Sequence, residues 1–211
     1  MRKVRKSTGK IATAVCAVTL CVVMVFSLTA CNAVERTVEQ IARAWKGVPA
    51  TMYTYAFDGT PIDRVQGRSF QVSRDTRFDR QSGDNVTHGS VVMISLGDSH
   101  INHVGSTLIL EQDGLERLTD PDTRIDITNT EDGTPWLNNL VEYWRNVTTG
   151  GGSKIIMIRS QNSTPLAVYA GDSVDIFSTE IPNSTWLEVD DKYLFVYRCE
   201  YTIYDVDLLL D

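Results

Sequence analysis

Three histidines, a cysteine late in the chain and a run of arginines have the types and spacing that could carry chemistry. His100 and His103, in Asp98-Ser99-His100-Ile101-Asn102-His103, invite a metal reading. Metal ligands must converge on one point, but residues i and i+3 of a strand point to opposite faces. The pair is therefore expected to be structural; no metal or cofactor is assigned. Cys199 would act as a nucleophile only beside a cation that lowered its pKa, and on a strand its neighbour Arg198 points the other way. A packed thiol is expected. Gly150-Gly151-Gly152-Ser153-Lys154 follows a helical pattern and precedes a strand, so no helix N-terminus would face a phosphate there. Neither Gly-x-Ser-x-Gly nor His-Glu-x-x-His occurs. No catalytic residue is assigned, and the chain is expected not to be an enzyme.

The arginines depart further from background. Arg64, Arg68, Arg74, Arg77 and Arg80 fall within seventeen residues, offset between Arg74 and Arg80 by Asp75 and Asp79 alone. Guanidinium forks suit phosphate and carboxylate, and loops on a rigid scaffold are where binding residues gather. These five are candidate contacts for an anion or a partner. The competing reading pairs each arginine with a local aspartate on a solvated loop.

Another reactive group is placed by its surroundings. Arg2, Lys3, Arg5, Lys6 and Lys10 precede an uncharged run, Ile11 to Ala30, that ends Leu28-Thr29-Ala30-Cys31. A basic start, an apolar run and small residues before a cut point make an export signal. Its last four residues resemble the lipobox of bacterial lipoproteins, which implies diacylglyceryl transfer to Cys31 and cleavage before it. Residues 1–30 are thus expected to be a removed signal peptide, and 31–211 one extracytoplasmic domain held to the cell membrane by its acyl chains. Cys16 and Cys21 would leave with the signal. Cys199 is then left without an intramolecular disulfide partner.

The rest of the chain must supply the scaffold. Val34, Val38, Ile41 and Trp45 predict one amphipathic helix, ended at Gly47-Val48-Pro49. Leu137, Leu140, Val141, Trp144 and Val147 predict a second, with Thr134 as cap and Pro135 at its first turn. Strand-like runs follow each helix, among them Thr51 to Phe57 before an Asp58-Gly59 hairpin signal, Lys154 to Arg159, and last an alternating run from Tyr193 to Ile203. Thr60 to Val72 aligns without gaps on Thr164 to Ile176, sharing Thr, Pro, Gly and Ser. The expectation is α+β, mostly antiparallel sheet with two amphipathic helices. An internal duplication of helix plus five to six strands is expected, near 34–113 and 134–208, joined by an acidic surface connection over 114–133. The first copy takes twenty residues from Ser73 to Ile94 where the second takes nine from Phe177 to Leu187.

Gly47-Val48-Pro49, His103 to Ile109, Asp113-Gly114-Leu115, and Ile158 to Gln161 through Pro165 to Tyr169 resemble an uncharacterised family of small lipoproteins from Gram-positive bacteria. That resemblance implies class and location and brings no catalytic residues.

Of 211 residues 42% are hydrophobic and 22% charged, which excludes a disordered or polytopic membrane chain. Beyond residue 30 there are 15 Lys and Arg against 27 Asp and Glu, too acidic a body to favour nucleic acid. The expected function is that of a tethered accessory protein binding an envelope polymer, a lipid head group or a protein. A small-ligand sensor with a pocket lined by some of Tyr53, Tyr55, Tyr169, Tyr193, Tyr197 and Tyr201 is the alternative. A hydrolase of unrecognised type comes third.

Overall fold

The computed structural model describes residues 41, 45–121, 136–147 and 153–209. The strands are β1 (Pro49–Tyr55), β2 (Pro61–Arg68), β3 (Phe70–Arg74), β4 (Arg80–Ser82), β5 (Asn85–Thr87), β6 (Val92–Leu96), β7 (Ser99–His103), β8 (Thr107–Gln112) and β9 (Glu116–Arg117). Helix α1 (Trp136–Val147) follows, then β10 (Lys154–Arg159), β11 (Pro165–Gly171), β12 (Val174–Ser178), β13 (Ser184–Val189), β14 (Lys192–Tyr197) and β15 (Glu200–Asp205). All strand pairs are antiparallel. They build a six-stranded sheet β12-β13-β14-β8-β1-β2, a four-stranded sheet β15-β10-β11-β9, a three-stranded sheet β3-β6-β7 and the hairpin β4-β5.

This corrects the α+β expectation. Apart from the single helical residue Ile41, the described residues hold one α-helix, and the class is mostly antiparallel β. Of the helix expected over 34–46, all but Ile41, Trp45 and Lys46 lies outside the described residues; Ile41 is helical, while Trp45 and Lys46 belong to a turn. Thr134 and Pro135 also lie outside them. The physical reason for the class is that the long-range contacts are sheet on sheet, with α1 covering one sheet face.

The last alternating run is corrected as well. It breaks at Arg198, whose φ of 52° ends β14 and whose amide donates to Asn183 O at 2.8 Å. The facing residues change parity there: Leu194 and Val196 turn to the inter-sheet core, then Tyr201 and Ile203. The stretch expected as an acidic connection holds β9, which pairs Arg117 with Tyr169.

Two successive sets of six strands share one pairing scheme. In the first, β1 pairs with β2 and β8, and β6 with β3 and β7; in the second, β10 pairs with β11 and β15, and β13 with β12 and β14. Tyr55 faces Pro61 after a bulge at Thr54, as Arg159 faces Pro165 after one at Ile158. Pro61 and Pro165, like Phe70 and Val174, are 104 residues apart, whereas Leu96 and Val189, like Thr107 and Glu200, are 93 apart. The first set thus carries 11 extra residues between its third and fourth strands. Left-handed backbone recurs at equivalent turns: Gly59 and Ser163 (φ 84° and 64°), Gly97 and Asp190 (58° and 48°), Gly105 and Arg198 (98° and 52°). Glycine takes this conformation without strain, and the second set takes it with side chains.

The sets stack front to back. The six-stranded sheet turns Tyr53, Tyr55, Ile109, Leu187, Leu194 and Val196 inward. Against them the four-stranded sheet packs Ile156, Ile158, Leu166 and Tyr169. By strand register, Ile156 and Ile158 are equivalent to Met52 and Thr54, on the opposite face of β1. The other face of β10 and β11 bears Ile155, Met157, Val168 and Ala170, covered by Leu137 and Val141 of α1 and by Val206 and Leu209 of a closing 3-10 turn. Helix α1 therefore takes the place a further sheet would occupy. On the far side of the six-stranded sheet, Trp45 lies 6.5 Å from Phe70 and 5.4 Å from Trp186, and Trp186 4.9 Å from Phe195. Full burial of each large apolar side chain contributes about 1.5–3 kcal/mol.

Candidate functional site

Two groups of polar residues stand out, one buried and one exposed. The buried group centres on Arg117, brought between the sheets by β9. Its Nε donates to Thr119 O at 3.1 Å, Nη1 to Glu111 Oε2 at 2.8 Å and Tyr169 Oη at 3.3 Å, and Nη2 to Tyr55 Oη at 3.1 Å and Leu166 O at 3.4 Å. All five N–H directions are used. The Tyr169 hydroxyl donates to the same Glu111 oxygen. The guanidinium also lies 5.0 Å from the Tyr53 ring centre and 5.6 Å from that of Tyr169. Burial opposes its charge, but Tyr169, Glu111 and Tyr55 hold it protonated. Burial pushes the Tyr53 phenol up to about 12 and raises Tyr55 and Tyr169 too, so these hydroxyls stay neutral. Chemically the group is a clamp joining β1 and β8 to β9 and β11. Sequence reasoning missed it because Arg117 sits in a stretch without strand periodicity.

The six tyrosines proposed as pocket lining are divided. Tyr53, Tyr55 and Tyr169 meet, but Arg117 lies against all three. Tyr197 turns to the far face, donating to Ser90 O at 2.6 Å, and Tyr193 packs edge-on to Trp186. Tyr201 packs at the edge of the inter-sheet core.

The exposed group is the extra segment between β3 and β6, where the arginines divide. Arg77 pairs with Asp75 through Nε (2.9 Å) and Nη2 (2.6 Å). Asp75 caps the 3-10 turn Thr76–Phe78 by accepting from the Arg77 amide. Arg74, 9% exposed, donates to Asp79, whose other oxygen accepts from Gly89 N at 2.8 Å. Asp79 thereby ties the two ends of the segment together. A Cβ on Gly89 would stand 2.7 Å from Phe78 O, so the closure requires glycine. Arg80 is exposed on β4. Arg64 lies on β2 over the Tyr53 ring (5.6 Å), and Arg68 donates to Gly47 O at 3.1 Å. The structure thus brings Arg74, Arg77 and Arg80 to one segment and leaves Arg64 and Arg68 on the neighbouring β2. Cys31 lies outside the described residues.

The Asp79 tie has a pH signature. Its hydrogen bonds from Arg74 and then Gly89 hold the carboxyl at about 2, below the usual 3.8. A depressed folded pKa contributes stability above the ordinary carboxylate value that is lost as pH falls toward the folded one. Exchange of the Gly89 amide is expected to accelerate, beyond its intrinsic pH dependence, between about pH 4 and 2. Asp79→Asn should remove that added dependence; an unchanged profile in the variant would refute the tie.

The remaining candidates have structural partners. His100 Nδ1 lies 3.1 Å from Ser95 Oγ; His103 Nε2 lies 2.9 Å from Ser106 O, its ring edge-on to Tyr197. His88 is 3.6 Å from Asp79. Among the described residues no three His, Cys, Asp or Glu are grouped to hold a metal. The Cys199 thiol donates to Tyr197 O and Leu108 O at 3.4 and 3.6 Å, and burial pushes its pKa up, against thiolate formation. Of the glycine run, Gly150 to Gly152 lie outside the described residues; Ser153 N donates to Asp172 Oδ1 at 3.2 Å.

A family model described as "Domain of unknown function (DUF5052)" matches residues 13–209. No curated protein and no solved structure matches the chain.

Proposed function

We infer the function of this chain, which belongs to the DUF5052 family, to be that of a membrane-tethered, extracytoplasmic lipoprotein that binds a component of the cell envelope and performs no chemistry. The observation that carries the reading is Leu28-Thr29-Ala30-Cys31 at the end of an uncharged run behind five cations. The family match, over residues 13–209, covers most of that run. On the folded side, a stacked β scaffold held by the Arg117 clamp presents one built insertion at its surface. Such loops on rigid frames are where binding surfaces arise.

Metabolic labelling with palmitate tests the tether. Label is expected on the wild-type chain, and Cys31→Ser is expected to abolish it and leave the chain uncut, held at the membrane by the unremoved apolar run. An unlabelled wild-type chain, or an intact mass starting at Met1, would refute the reading. For the binding surface, replacing the insertion's exposed Arg77 and Arg80 with serine should weaken envelope binding in a salt-dependent way; unchanged binding would count against it.

A further inference from the structure

The shared pairing scheme of the two strand sets singles out two sheet edges. Residues 93 apart are equivalent toward the end of each set: Leu96 faces Ser99 as Val189 faces Lys192, and Thr107 faces Tyr55 as Glu200 faces Arg159. Strand β7 is thus equivalent to β14, and β15 to β8. Within the chain β14 and β8 are joined, Leu194 facing Glu111 and Tyr197 facing Leu108, and this junction makes one six-stranded sheet from strands of both sets. Their equivalents β7 and β15 are unjoined, each the last strand of its own sheet. One molecule therefore carries both halves of a junction that it already makes once internally.

The other edges of the three larger sheets are guarded against strand addition. Strand β2 carries Pro61, Asp63, Arg64 and Arg68 and faces a bulge, β3 ends at Arg74, β12 holds Asp175, and β9 has two residues. Proline, charge, bulges and shortness are the devices that stop edges from pairing. Strand β7 reads Ser-His-Ile-Asn-His, with no Asp, Glu, Lys, Arg or Pro, and β15 has charge at its two ends alone, Glu200 and Asp205. Laid on the β14–β8 register, β7 of one copy sets Ile101 opposite Tyr204 and Val104 opposite Tyr201 of another. Val104, 62% exposed, would then extend the face on which Tyr201 and Ile203 pack. The next pair is His100 with Asp205, equivalent to Tyr193 with Gln112, where the Tyr193 amide donates to Gln112 Oε1 at 3.0 Å. Lys154 takes Oδ1 of Asp205, and among the described residues Oδ2 accepts no hydrogen bond, so it stands ready for the His100 amide.

We propose that copies of this chain join head to tail: β7 of one adds antiparallel to β15 of the next, in the register of the internal β14–β8 junction. Helix α1 and the closing 3-10 turn fill the layer in front of β10 and β11, which ends face-to-face stacking within the chain and leaves the edges to extend the sheet. Backbone hydrogen bonds supply the affinity, as in other strand additions, and the side-chain matches set the register. The contact is heterologous, so each added copy presents a fresh edge and the assembly grows as a row unless it closes into a ring. The junction does not depend on the anchor at Cys31.

The test is disulfide trapping of the full chain in detergent solution, with His100→Cys and Asp205→Cys made as separate variants and the wild-type chain setting the background of its native cysteines. Both positions are exposed, and directly opposite residues of an antiparallel pair lie about 4.5–5.5 Å apart at Cα, within disulfide reach. Mixing the two variants under mild oxidation is expected to give a linked dimer that neither gives alone, and the double variant a ladder of linked copies. Adding Val104→Asp to the His100→Cys chain should lower the dimer yield about tenfold, because a carboxylate replaces the apolar contact with Tyr201. A mixture that links no more than His100→Cys with Asp84→Cys, at the tip of the insertion, overturns the junction. Linking of His100→Cys with itself would show a two-fold pairing of β7 and overturn the head-to-tail arrangement. A yield unchanged by Val104→Asp overturns the register.

Discussion

Arg117→Ala is expected to destabilise the folded chain by about 3–5 kcal/mol, because removing one member of a buried ion pair leaves the other uncompensated. Glu111 would keep Tyr169 as a donor but lose its cation, and the Tyr55 hydroxyl would lose the hydrogen bond it accepts from Nη2. Urea denaturation at constant m-value measures the loss. The same physics predicts a different result for the pair. Arg117→Met combined with Glu111→Leu fills similar volume without charge and should recover most of the stability, since well-packed apolar replacements of buried ion pairs are often neutral or stabilising. A single substitution costing under about 1 kcal/mol would show that the clamp does not join the sheets.

Val141→Asp is expected to cost more than about 3 kcal/mol. Val141 is fully buried against Ile155, Met157, Val168 and Ala170. The substitution removes about 1.5–3 kcal/mol of apolar burial and adds the desolvation of an unpaired carboxylate. Because α1 stands where a further sheet would stack, the expected consequence is exposure of the outer face of β10 and β11. Hydrogen exchange should therefore rise in those strands before it rises in β1 and β8. Asn139→Asp, on the exposed side of the same helix, should stay within about 0.5 kcal/mol. Equal losses from both variants would contradict the capping role of α1.

These expectations rest on features that are unequally legible in the chain. Strand positions read well where apolar residues cluster between strong turn signals: the run Lys154 to Arg159 is β10, and the Asp58-Gly59 turn joins β1 to β2. The Thr60 to Val72 alignment on Thr164 to Ile176 corresponds to the observed registers. The helical share is overestimated from sequence, because amphipathic periodicity marks a helix without showing how little of the fold depends on it. Alternation through Tyr193 to Ile203 hides a turn at Arg198, since a left-handed residue other than glycine or asparagine leaves no mark in composition. Arginine spacing finds the insertion but does not reveal that Arg74 and Arg77 hold Asp79 and Asp75 inside it.

The linear order of residues by itself determined the basic start and uncharged run that end in Leu28-Thr29-Ala30-Cys31, the acidity of residues 31–211, and the position of the extra segment between Ser73 and Ile94. Local composition and spacing are enough for such features. Only the tertiary structure decided that Arg117 would be buried between the sheets and that α1 would cover a sheet face. Each of those outcomes depends on residues far apart in the chain meeting across sheets, where burial and desolvation set the energies.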